Sequence, residues 1–207
     1  AGDELKRSGS WRPKLSAPRI VISGYYGAGN PGDEAILAAM LAALRAEVPE
    51  AEFVVLSRDP ARTAAEHGVK AVPRDLGRHF FGLVKLLRRA DLFISGGGGL
   101  LQDAYPPRFL PASVLYYLAV CLLAKLCGCR VMLYAQGIGP LRRRLSRLLV
   151  RLALARMDLI SVRDPGSHDL LRGLGVTRRV YLTADPVLAW RPALPPNPVR
   201  SVLPAEK

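Results

Sequence analysis

The sequence predicts an α/β fold: a doubly wound, mostly parallel sheet with helices on both faces. Three observations lead there. Short runs rich in β-branched or large apolar residues alternate with helical patterns along the chain, which implies right-handed β–α–β crossovers. Several runs are apolar without interruption at their centres, as strands covered on both faces require. Gly-rich or polar stretches then follow the runs directly, where an open parallel sheet binds its ligands.

The first run is Arg19 to Ser23 (RIVIS). After a Gly-rich loop, Asn30-Pro31 reads as an N-cap followed by proline at the first helical position. Ile36, Leu37, Met40, Leu41 and Leu44 then recur at the spacing of one helix face. Glu52 to Ser57 (EFVVLS) is the second run, and Val69 to Val72 a weaker one. Asp91 to Ser95 (DLFIS) leads into four consecutive glycines. Ala112 to Cys127 is the most apolar stretch. Lys125 interrupts it and it falls short of the roughly 20 residues a membrane span needs, so it reads as a buried helix. Arg130 to Ala135 (RVMLYA), Asp158 to Val162 (DLISV) and Arg179 to Thr183 (RVYLT) complete the strands. Leu141 to Arg156 carries six arginines together with Leu145, Leu148, Leu149 and Leu152. We expect it to form an outer helix packed on the sheet by those leucines, with a basic outer face. One Rossmann-like domain is therefore expected over residues 18–190, preceded by a flexible arm at 1–17. Pro192, Pro195, Pro196, Pro198 and Pro204 make 191–207 a linker or ragged end, and a second domain is expected to be missing beyond it.

Half of the 207 residues are apolar, enough to bury a core and to exclude a disordered tail. Cys121, Cys127 and Cys129 are few, odd in number and clustered, which excludes a disulfide scaffold. The Cys-x-Cys pair has no second pair or nearby His to complete a zinc site. Reduced cytosolic thiols are the plain reading, and the polar first 18 residues contain no apolar secretory segment. Thirty Lys+Arg against 17 Asp+Glu give a net charge of +13, which implies anionic partners such as phosphates or a membrane surface. Nucleic acid is set aside, because aromatics are not interleaved with the arginines and no reader motif is present.

Five Gly-rich or polar loops are expected to meet at one edge of the sheet: residues 24–34, 96–103, 136–140, 163–164 and 184–186. Gly27, Gly29 and Gly32 form a G-x-G-x-x-G, so a dinucleotide-dependent oxidoreductase is one alternative. Against it, Asp33 falls at the third helical position, where its carboxylate competes with a pyrophosphate for the same N–H groups. Asn30 and Asp33 are either caps of this helix or site residues, with Asp33 placed as a general base. Gly96, Gly97, Gly98 and Gly99 form either a tight turn or an anion-binding nest. Gln102 and Asp103 either bind sugar hydroxyls or cap the following helix. Arg163 either clamps a phosphate or carboxylate or pairs with Asp164 or Asp185 to fix the loops. His67, His79 and His168 have no partner pattern and read as surface or helix residues. A third, non-enzymatic alternative is a basic membrane- or polyanion-binding module built on Arg142 to Arg156.

The stretches GYYGAGNPGDEAIL, FISGGGGLLQD, VLYYLAV, LYAQGIGPL, SVRDPGS and TADPVL occur in this order. Together they closely resemble the polysaccharide pyruvyl transferase family, in particular its bacterial cell-wall CsaB type, from about Arg19 to Trp190. The resemblance implies one half of a two-domain, GT-B-like architecture. It implies transfer of the pyruvyl unit of phosphoenolpyruvate, as a cyclic ketal, to a sugar, usually N-acetylmannosamine in a lipid-linked cell-wall saccharide. The product anchors surface-layer proteins. By match to the family's Asn-x-Gly-Asp and Val-Arg-Asp motifs, Asp33 is the candidate base and Arg163 the anion clamp. Asn30, Gly96 to Gly99, Gln102 and Asp103 would contact donor or acceptor. No metal or redox cofactor is implied, and the expected location is cytoplasmic, peripheral to the plasma membrane. The chain is expected to depart from the family in its second domain, and it departs in Ala104 to Pro111, where the family more often has a shorter polar stretch.

Overall fold

A computed structural model describes residues 17–103 and 112–190. The arm at 1–16, the segment 104–111 and the Pro-rich 191–207 lie outside the described residues. Seven strands form one sheet: β1 (Arg19–Ser23), β2 (Glu52–Ser57), β3 (Lys70–Pro73), β4 (Leu92–Gly96), β5 (Arg130–Gln136), β6 (Leu159–Val162) and β7 (Val180–Leu182). All pair in parallel, in the order β3-β2-β1-β4-β5-β6-β7. Six helices connect them: α1 (Pro31–Glu47), α2 (Pro60–His67), α3 (Phe80–Leu87), α4 (Ala112–Leu126), α5 (Arg144–Leu154) and α6 (Pro165–Gly173). A 3-10 turn, Pro186–Ala189, follows β7 and lies against α1.

The strand alternation explains the two-sided cover. In β1, Ile20 and Ile22 pack with Leu37, Met40 and Leu41 of α1, whereas Val21 faces the larger core beneath α3 to α6. Strands buried on both faces read as continuous apolar runs, which is why they stand out in the sequence. The chain leaves β1 towards β2 and leaves β4 towards β5, so the loops after β1 and β4 diverge and open a crevice at their carboxyl ends.

Ala112–Leu126 forms the buried helix expected of it, with Val114, Leu118, Val120, Cys121 and Ala124 in the core. Among the described residues no helix is long and apolar enough to cross a membrane. Burial pushes the Cys121 thiol up to about 12 and Cys129 up to about 11, and none of the three cysteines is bridged.

Helix α5 corrects one expectation. Three of the four leucines expected to pack on the sheet do not. Leu145, Leu148 and Leu152 are 48%, 51% and 49% exposed, and the buried stripe is Ser146, Val150, Ala153 and Leu154. Ser146 and Ala153 thus share the buried stripe with Val150 and Leu154. Only Leu149 is partly buried against the core. Truncating Leu154→Ala should therefore cost about 2–5 kcal/mol, while Leu148→Ala should change stability by less than about 0.5 kcal/mol. Urea denaturation of the two variants distinguishes this packing from a leucine-faced helix.

Candidate functional site

The loop after β1 is held from three sides. The buried Tyr26 hydroxyl donates to the Gly96 carbonyl at 2.7 Å, across the β1–β4 crevice. Its burial raises the phenol well above its usual value, with the Asp33 charge adding to the rise. Gly27 adopts φ +68° and donates its N–H to Glu34 Oε1 at 2.8 Å. Glu34 Oε2 in turn meets His67 Nε2 at 3.2 Å, so His67 is a nearly buried partner of the loop rather than a surface residue. On the other side, Arg58 donates its N–H to the Tyr26 carbonyl at 3.0 Å.

These bonds occupy two of the N–H donors that the dinucleotide alternative would use. The Gly27 N–H is taken by Glu34, and the Gly32 N–H by Asn30 Oδ1 at 3.1 Å. The Cβ of a larger residue at Gly27 would stand 2.0 Å from Ser57 Oγ, so that glycine serves packing against β2. Glu34, Glu66 and His67 are close enough to share a cation. However, Glu34 already accepts from Gly27, and Glu66 pairs with Arg62 at 2.7 Å, so the group works as a structural brace.

Asn30 caps α1 and also orients Asp33. Its Oδ1 accepts from Gly32, which turns its Nδ2 to donate to Asp33 Oδ2 at 2.6 Å. Both residues line a cleft of about 720 Å³, together with Tyr25, Gly98, Gly99, Gln102, Asp103, Tyr117 and Arg163. Burial raises the Asp33 carboxyl above the ordinary aspartate value. The Glu34 charge adds to the rise and the Arg163 charge opposes it.

Arg163 reaches the cleft from the end of β6. Its Nη1 donates to Asp185 Oδ2 at 2.6 Å. Asp164, the other carboxylate expected as its partner, instead caps α6 by accepting from the Ser167 N–H and hydroxyl, both at 2.7 Å. Gly137 makes room for the guanidinium, since a Cβ there would stand 3.1 Å from Arg163 Nε. Arg163 is thus an ion-pair partner and a cleft wall at once.

The four glycines divide. Gly96 and Gly97 do not line the cleft: a Cβ on Gly96 would meet Met40 Sδ at 2.8 Å, and one on Gly97 would meet Ile36 Cγ2 at 2.1 Å. They exist to let α1 lie against β4. Gly98 and Gly99 do line it. Their N–H groups donate to no acceptor among the described residues, the condition an anion nest needs. Asp103, 8% exposed, accepts the backbone N–H groups of Arg142 at 2.6 Å and Arg143 at 3.0 Å. Burial works to raise its pKa, but those N–H groups and the Arg143 charge bring it below the usual range. Asp103 therefore fastens the entry to α5 while lining the cleft. Gln102 lines the cleft with its side chain beside Gly99.

Tyr117 has no role assigned from sequence, yet it lines the cleft with a buried hydroxyl that has no hydrogen-bond partner among the described residues. Burial, partly offset by the Arg74 charge, pushes the phenol to about 12, so it stays a neutral donor. The Arg74 guanidinium lies 4.5 Å from the Tyr116 ring centroid and 5.3 Å from that of Tyr117. The sequence signal for Tyr117 is a tyrosine inside an apolar helix, where a buried hydroxyl wants a partner.

A family model described as polysaccharide pyruvyl transferase matches residues 30–206. No curated protein matches the chain. Among solved structures, the chain is similar to an alpha-glucosyltransferase in complex with UDP and a 13-mer DNA containing a HMU base. The TM-score is 0.52 at 17% identity, over 82% of this chain and 43% of that one. It is also similar to an alpha-glucosyltransferase (AGT) in complex with UDP, with TM-score 0.51, 16% identity, and 81% and 44% covered. These likenesses show the fold, and the chain spans less than half the length of either structure.

An acid whose pKa folding has raised stabilises the protein below its unfolded pKa, and that contribution is lost as pH rises through the folded value. Asp33→Asn should accordingly be more stable than the parent at neutral pH, the gap closing as pH falls into the ordinary aspartate range. Urea midpoints measured across that range check it, and a gap independent of pH would contradict the raised carboxyl.

Proposed function

The chain belongs to the polysaccharide pyruvyl transferase family, and from that membership we propose that it carries part of the site that builds a cyclic pyruvate ketal on a sugar, with phosphoenolpyruvate as donor. The acceptor we propose is an N-acetylmannosamine within a lipid-linked cell-wall saccharide, as in the CsaB type, reached at the inner face of the plasma membrane. This chain would supply one half of a GT-B-like pair of domains. The observation that carries the reading is a carboxylate of raised pKa, Asp33, sharing one cleft with the Arg163 guanidinium and with the N–H groups of Gly98 and Gly99, which have no acceptor among the described residues.

The chemistry assigns roles to these groups. A proton added at C3 of phosphoenolpyruvate leaves C2 electron-poor, and a sugar hydroxyl attacks it. The C2–O bond to phosphate then breaks, and a second hydroxyl closes the ring. Two hydroxyl protons leave the acceptor, one ending in the new methyl group and the other on the departing phosphate. Asp33 takes the proton of an attacking hydroxyl, and its raised pKa suits a general base. Asn30 holds that carboxylate in line. Arg163 clamps the donor's carboxylate or phosphate through paired hydrogen bonds, with the Gly98 and Gly99 N–H groups as further donors. The Tyr117 hydroxyl supplies a neutral hydrogen bond to a substrate oxygen.

Phosphate release from phosphoenolpyruvate should require the acceptor. Asp33→Asn should lower kcat by about 10²–10⁴-fold while the fold persists, and should abolish an acid limb in kcat/KM lying above the ordinary aspartate range. Arg163→Lys should not restore what Arg163→Gln loses, because an ammonium cannot grip two oxygens in parallel. Tyr117→Phe should cost a few-fold, the value of roughly 1 kcal/mol for a neutral hydrogen bond. Full turnover in Asp33→Ala would overturn the assignment of the base.

A further inference from the structure

The outward face of α5 is built of two adjoining rows. Leu145, Leu148 and Leu152 stand about half exposed on one side. Arg144, Arg147 and Arg151 stand exposed on the other, and among the described residues no carboxylate pairs with any of them. A depression of about 350 Å³ opens between α5 and the end of α6, lined by Arg144, Arg147, Leu148, Arg151, Gly173 and Leu174. A solvated face alone has no use for three exposed leucines in line. A core-facing helix would not crowd three unpaired guanidinium groups beside them.

We propose that α5 docks this chain on an anionic lipid bilayer, with Leu145, Leu148 and Leu152 dipping into the interface and Arg144, Arg147 and Arg151 meeting lipid phosphates. Leucines beside arginines on one outward helix face are the pattern of a helix lying in the interface plane. The unpaired positive charge complements an anionic leaflet in a chain whose net charge is +13. The helix is also tied to the cleft: Asp103, a cleft-lining residue, fastens the two residues that enter α5. The docking stands on the α5 face alone. Its use, to bring a lipid-linked acceptor to the cleft mouth, rests on the function proposed above.

Flotation of the 207-residue chain with vesicles of phosphatidylcholine, or of equal parts phosphatidylcholine and phosphatidylglycerol, tests the proposal. Binding is expected to the anionic vesicles only, and it should weaken as salt rises. Replacing Arg144, Arg147 and Arg151 by Gln together should lower partitioning on the order of a hundredfold. Replacing Leu145, Leu148 and Leu152 by Ser should also lower it, with an unchanged urea midpoint, since these side chains make little of the core. Equal binding to neutral vesicles, full binding by the serine variant, or preferential binding to an RNA homopolymer would each overturn the proposal. So would a concentration-dependent dimer that the serine variant abolishes in the absence of vesicle binding. Phosphate release with a water-soluble acceptor is the separate readout. If it fails while the wild-type chain floats with anionic vesicles, the docking stands and the assigned chemistry does not.

Discussion

The close approach of α1 to the turn after β4 is the constraint on which the rest of this structure depends. Nothing larger than hydrogen fits between them at two successive positions. A Cβ on Gly97 would collide with Ile36, and one on Gly98 would stand 2.6 Å from Asp33 Oδ1. The Tyr26 hydroxyl closes the same seam from the β1 side by reaching the Gly96 carbonyl. Because these contacts fix the first turn of α1 over the sheet edge, Asp33 projects into the crevice at the switch point instead of into solvent. The opposite wall is set the same way, with Gly137 leaving room for Arg163.

Two acidic side chains in this cleft have opposite characters, and their surroundings explain why. Asp103 is nearly buried but accepts a backbone N–H group on each oxygen, so its charged form is favoured. Asp33 receives one side-chain amide, sits beside Glu34 and loses water, so its charged form is disfavoured. The same residue type is thus held charged at one position and pushed towards its neutral form at the other.

Much of the fold was legible because a parallel sheet buried on both faces writes itself as apolar runs. All seven strands fall on the stretches that the sequence singles out, including the weak one that became β3. The site loops were legible for a related reason: glycine, asparagine and aspartate cluster where strands end. Side-chain direction was not. The leucines of α5 fit a helical period as well as the true buried stripe does, and periodicity alone does not say which of the two stripes faces the core. The four glycines looked equivalent in sequence, yet two face α1 and two face the cleft, because the chain turns between them with φ near +70° at Gly97 and Gly98. His67 and Tyr117 were missed because each acquires meaning only from a partner, or the lack of one, brought close by a distant segment. For Asn30 and Arg163 the structural and functional readings that sequence holds apart are compatible in one geometry.

The fit between Gly98 and Asp33 also limits how such a chain can drift. An alanine at 98 demands that the carboxylate retreat, and the alanine would have to adopt a φ of +70° that side chains rarely take. Position 98 therefore cannot take a side chain without moving the acid at position 33.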